Sequence, residues 1–288
     1  MSLAATNFQR PDVFVQESAK VVVVCEQVQD RSVQRLIDVL SSFPRLEPHV
    51  IELPSSECSR TVFGGAQAEA VWSATAPGEI HERIVRYCRR TAANLVIVPE
   101  SFKGQKRSWW RESLAEKLAR YVSVLSLPNQ TNYQQLIGSQ RPVRWLVALD
   151  GSSAAEQILA PLRAMTSWLP SEVLLIQPLN YAQQWRNRVA SHHPASIARM
   201  GVSIADSAEY LQRIAKRQLA GVSTRVCSVS GGNSAAALLR QVNSSAVDAV
   251  ALGLSNQYRF TRRLTGEFNE LIFNKVEKPR LLLATRPI

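Results

Sequence analysis

The chain has 288 residues, 45% of them hydrophobic and 20% charged, which is the balance of a globular chain with room for two domains and excludes a disordered one. Its four cysteines stand apart with no CxxC pair, its apolar runs are far shorter than the ~20 residues of a membrane helix, and its first nineteen residues lack the basic start and apolar stretch of a secretory leader. The net charge of +11 is uneven: residues 1–140 hold 16 basic and 14 acidic side chains, residues 141–288 hold 18 and 9, so the charge admits anionic partners.

In chain order, residues 1–19 read as a loose arm. "KVVVVCE" from Lys20 is a strand in which Cys25 is a buried reduced thiol. "DRSVQRLIDVLSSF" is a helix with Val33, Leu36, Ile37 and Leu40 on one face. "HVIEL" is a short strand, and residues 55–79 read as irregular. "EIHERIVRYCRRTA" is a helix, "NLVIVP" a strand, "SLAEKLARYV" a helix and "SVLSL" a strand. "PNQTNYQQLIGSQRP" is polar and bounded by prolines, as a linker is.

The second half has the same plan in clearer form. "VRWLVALD" (Val143–Asp150) is a continuous apolar strand of the kind covered on both faces of a parallel sheet. "GSSAAEQILAPLRAM" opens a helix in which Ser153 and Glu156 fit a capping box. "EVLLIQPL" is a strand. After a polar stretch come the helix "SAEYLQRIAKRQL", the alternating strand "STRVCSVS", the helix "GGNSAAALLRQV", the strand "VDAVALGL", the helix "TGEFNELIFNKV" and the strand "RLLLAT". Strands alternating with helices predict an α/β fold with parallel sheets. "NLVIVPES…ESLAEKL" aligns with "DAVALGLS…GEFNELI", an internal repeat of about 140 residues.

"LVALDGSSAAEQIL" and "VDAVALGLSNQYRFTRRLTGEFNELIFNKVEKPRLLLAT" resemble the opening and closing units of the universal stress protein family. The resemblance implies two tandem doubly wound parallel-sheet domains, each an α/β/α sandwich. Their bounds are residues 20–128 and 143–288, with a linker over 129–142. It also implies that the closing strands "SVLSL" and "RLLLAT" meet, making the chain an internal pseudo-dimer.

Nucleotide-binding members of that family carry Gly-x-x-Gly, nine residues, then Gly-Ser or Gly-Thr. Glycines let backbone N–H groups approach phosphates, and the hydroxyl adds a donor at a helix start. Carried onto this sequence, the pattern gives Gly253, Asn256 in place of glycine, Gly266, and Glu267 in place of the hydroxyl. Glu267 would repel phosphate; Arg259, Arg262 and Arg263 supply compensating charge. Asp150 matches the acidic residue that faces the nucleoside. In the first half the same positions are Glu26, Pro99, Phe102, Glu112 and Ser113, so all three glycines are gone.

Within that degenerate loop, "KGQKRSWWRESLAEK" looks at first like a basic-aromatic grip for nucleic acid. Ser113 with Glu116 instead fits a capping box, Trp109 and Trp110 fall where packing on the sheet is expected, and Lys103, Lys106 and Arg107 lie on a loop tip. "SGGNS" (Ser230–Ser234) reads as a turn and helix start. His49, His81, His192 and His193 lack ligand spacing, so no metal site is expected. No catalytic constellation is evident. The expected protein is non-enzymatic and cytosolic, of stress-response type, and forms a homodimer of the tandem chain. It holds an adenine nucleotide (ATP or AMP) in the second domain or acts through a protein partner. The alternative class is a nucleic-acid or anionic-surface binder driven by the basic second half.

Overall fold

The computed structural model describes residues 19–25, 30–53, 80–99, 114–128, 131–132, 136–138, 141–149, 151, 153–179, 204–229, 234–243, 246–255, 276 and 278–285. Among the described residues nine strands form one sheet: β1 (Ala19–Cys25), β2 (Leu46–Glu52), β3 (Leu95–Pro99), β4 (Ser123–Leu127), β5 (Val143–Ala148), β6 (Ser171–Pro178), β7 (Ser223–Val229), β8 (Ala249–Ser255) and β9 (Arg280–Thr285). Their spatial order is β2-β1-β3-β4-β9-β8-β5-β6-β7. Every pairing is parallel except β4 with β9. The closing strands of the two halves therefore meet, as the resemblance implies.

The helices are α1 (Arg31–Ser41), α2 (Ile80–Thr91), α3 (Leu114–Ala119), α4 (Ser153–Glu156), α5 (Leu159–Thr166), α6 (Ile204–Gln218) and α7 (Ser234–Asn243). Period-2 alternation along the strands builds a core on each face of the sheet. Val21, Val23, Trp145 and Val147 point into one core with Leu36 and Leu40 of α1, Leu159 and Leu162 of α5, and Leu211 of α6. Val22, Val24, Leu146 and Ala148 point into the other, with Ile84 of α2, Leu118 of α3 and Val242 of α7. This is why β1 and β5 read as unbroken apolar runs. β7 alternates because it stands at a sheet edge, with Ser223, Arg225 and Cys227 exposed.

Local rules account for the helix starts and breaks. Asp30 caps α1, its Oδ1 accepting from the Ser32 N–H at 2.8 Å, and the four apolar residues read from the sequence are the buried ones. The expected helix over 151–165 is two helices, α4 and α5. Pro161 has no N–H to donate to the carbonyl of Gln157, and its ring crowds that carbonyl, so the ladder breaks there. The expected capping role of Glu156 is also corrected. Its carboxylate reaches α6, accepting from Tyr210 Oη at 3.0 Å, Arg217 Nη2 at 2.9 Å and Gln218 Nε2 at 3.1 Å. β2 and α6 each begin three residues before the expected starts. Residues 55–79 and the expected helix "TGEFNELIFNKV", apart from its last residue Val276, lie outside the described residues.

Equal registers relate the halves. β1 meets β3 as Val21↔Leu95, and β5 meets β8 as Trp145↔Ala249. On this match Val124 corresponds to Arg280 and Leu125 to Leu281, so the pairs Val124↔Leu282 and Ser126↔Arg280 are mates and a local two-fold runs between Leu125 and Leu281. Off the sheet, Phe43 after α1 and Trp168 after α5 occupy matching places, and their rings meet edge to face at 5.7 Å. Between the halves, Leu136 and Ile137 are buried in the shared core. Because β4 and β9 are antiparallel, the carboxyl ends of the two sets of strands point to opposite edges of the sheet.

Candidate functional site

In an open doubly wound sheet, ligands sit beyond the carboxyl ends of the strands where the strand order reverses. In the second half the order β7-β6-β5-β8-β9 reverses between β5 and β8. The ladder there runs Trp145↔Ala249, Leu146↔Val250, Val147↔Ala251. Gly253 lies just past it on β8, paired with Leu283 of β9 and buried. Past the end of β5, the Leu149 N–H donates to the Ile176 carbonyl at 2.8 Å. The chain then passes Asp150 and reaches Gly151, whose φ of +91° is a left-handed conformation that glycine adopts without Cβ strain. The fold thus brings two sequence signals, the strand end before Asp150 and Gly253, to neighbouring strands at the reversal point.

The other candidates, Asp150, Asn256, Arg259, Arg262, Arg263, Gly266 and Glu267, lie outside the described residues. So do Glu26, Phe102, Lys103, Lys106, Arg107, Trp109, Trp110, Glu112, Ser113, His192, His193 and Ser230–Asn233. In the first half the matching reversal lies between β1 and β3. Pro99 stands there in the place of Gly253, buried and paired with Leu127. Proline has no N–H to offer a ligand.

Next to β5, near the carboxyl end of β6, Gln177 is 4% exposed. Its Oε1 has no hydrogen-bond partner among the described residues. On the neighbouring strand Ser228 Oγ donates to Ser207 Oγ at 2.7 Å. A buried acceptor without a donor costs about 1–3 kcal/mol, so Gln177 is a position where a ligand N–H would be favoured. Periodicity could not single it out, because it lies in an apolar strand run.

The opposite edge of the second half is tied by charge. Asp248 accepts from the Arg144 N–H at 3.0 Å and Nε at 3.2 Å, and from Arg141 Nη2 at 3.1 Å. Burial pushes the Asp248 carboxyl up, but the bonds from Arg144 and Arg141 outweigh it and hold the group below its ordinary value. Lys278 donates to the Val247 carbonyl, and burial holds its amine below the usual range. This cluster clamps β5 to β8 at their amino ends, away from the reversal point.

A third feature lies on α2. An open-mouthed cavity of about 300 Å³ is lined, among the described residues, by Arg83, Arg86, Tyr87 and Arg90. Tyr87 is buried, and its Oη lies 2.9 Å from His49 Nδ1; His49 Nε2 lies 3.1 Å from Glu47 Oε1. His49 is thus a satisfied core histidine. The sequence signal for the cavity was present in "HERIVRYCRR", where arginines recur at helical spacing around one tyrosine.

The two buried thiols, Cys25 and Cys88, do not suit nucleophilic chemistry. Burial, with Glu52 and Asp30 nearby, pushes Cys25 up to about 12, and burial pushes Cys88 up to about 11. Among the described residues no group of three or more His, Cys, Asp or Glu could hold a metal ion, and no helix is long and apolar enough to cross a membrane.

Fold and site together define a doubly wound α/β protein of two like halves joined edge to edge, with a reversal of strand order in each half. No protein-family model matches the chain, and no curated protein matches its sequence. Solved structures do. A universal stress protein from Archaeoglobus fulgidus DSM 4304 is 14% identical, over 93% of this chain and 97% of its own, with a TM-score of 0.55. A functionally unknown protein from Pseudomonas aeruginosa PAO1 is 12% identical over 93% of each chain, with a TM-score of 0.49. A universal stress protein in complex with cAMP is 12% identical, over 50% of this chain and 97% of its own, with a TM-score of 0.32. The first of these establishes that this chain has the universal stress protein fold.

Proposed function

We propose that the chain is a tandem universal stress-type protein with one nucleotide site. Residues 20–128 and 143–288 form its two domains, and it works as a non-enzymatic regulator. The second half holds an adenine nucleotide, ATP or AMP, and the first half has lost the site and serves as a fixed partner. The observation that carries this reading is the neighbouring of two strand ends at the reversal point: β5 runs out at Leu149, the residue before Asp150 in sequence, and the adjacent β8 carries Gly253.

In this reading Asp150 accepts from the ribose hydroxyls. Gly253 lets the loop backbone approach the phosphates, with Asn256 as a polar substitute for the second glycine. Arg259, Arg262 and Arg263 supply the phosphate charge that Glu267, after Gly266, opposes. Gln177 offers its acceptor to a ligand N–H. A bound nucleotide orders the loop from Gly253 to Gly266 and alters the surface presented to a protein partner. Calorimetry with ATP and AMP tests the reading. Saturable heat is expected, and none at millimolar nucleotide would sink it.

A further inference from the structure

We draw no further inference here: the strongest candidate, the buried Gln177 near the carboxyl end of β6 with the Ser207–Ser228 hydroxyl pair beside it, belongs to the reversal-point site already described.

Discussion

Val21 and Trp145 hold the same place in the two halves, each paired at the start of its ladder and each buried in the same core. The same match sets Pro99 against Gly253 and Asn94 against Asp248. The second half has kept the glycine at the reversal point and added an ion cluster at the other edge. The first half has a proline at its reversal point and has gathered its charge on α2. The shared elements are those that two cores and one sheet require. The differing elements lie at strand ends, where packing places few demands and ligands are met.

Core deletion should expose the largest contrast. Trp145→Ala should cost about 3–5 kcal/mol and Val21→Ala about 2 kcal/mol, since the volumes removed differ at matched sites. Urea unfolding followed by circular dichroism should remain a single transition in both, because one core spans the halves. Two separated transitions would break the picture of a joined sheet.

Next comes the charged edge. Asp248→Ala should cost about 2 kcal/mol at neutral pH, whereas Asn94→Ala, at an exposed position, should cost under about 0.5 kcal/mol. The Asp248 carboxyl lies below its ordinary value when folded. Its stabilisation is therefore present above the unfolded pKa of about 3.9 and is lost as pH falls through the folded pKa. Asp248→Asn should flatten the acid limb of the stability profile; an unchanged limb would remove the cluster from the account.

Smaller effects test the turn and the two-fold. Gly151→Ala should cost about 1–2 kcal/mol, because alanine at φ +91° crowds its own backbone. A neutral outcome in thermal melts would show that the turn does not need that conformation. Phe43→Leu should lower stability by about 0.5–1.5 kcal/mol through loss of the ring pair with Trp168. A double-mutant cycle with Trp168→Leu that gives no coupling would dismiss the contact.

Much of the frame was legible because burial on both sheet faces writes itself as apolar runs such as "VVVVC" and "WLVA", and one-sided burial writes α1 as Val33, Leu36, Ile37 and Leu40. The break at Gln157 was legible too, in Pro161, but helical periodicity outweighed it. Glu156 misled because a capping box and a long-range tie to α6 look alike in sequence; only the fold brings Tyr210, Arg217 and Gln218 to its carboxylate. At the site, Gly253 could be placed by motif spacing. Gln177 could not, since its significance is that its Oε1 has no donor among the described residues. The α2 arginines were visible as residues, but the tie of Tyr87, beneath Arg90, to His49 of β2 needs the fold.

The central claim is that one half holds a nucleotide and the other does not. Equilibrium dialysis of labelled ATP against the full chain should give one nucleotide per chain, lost in Gly253→Val and unaffected in Pro99→Ala. No bound nucleotide, or two per chain, would contradict it.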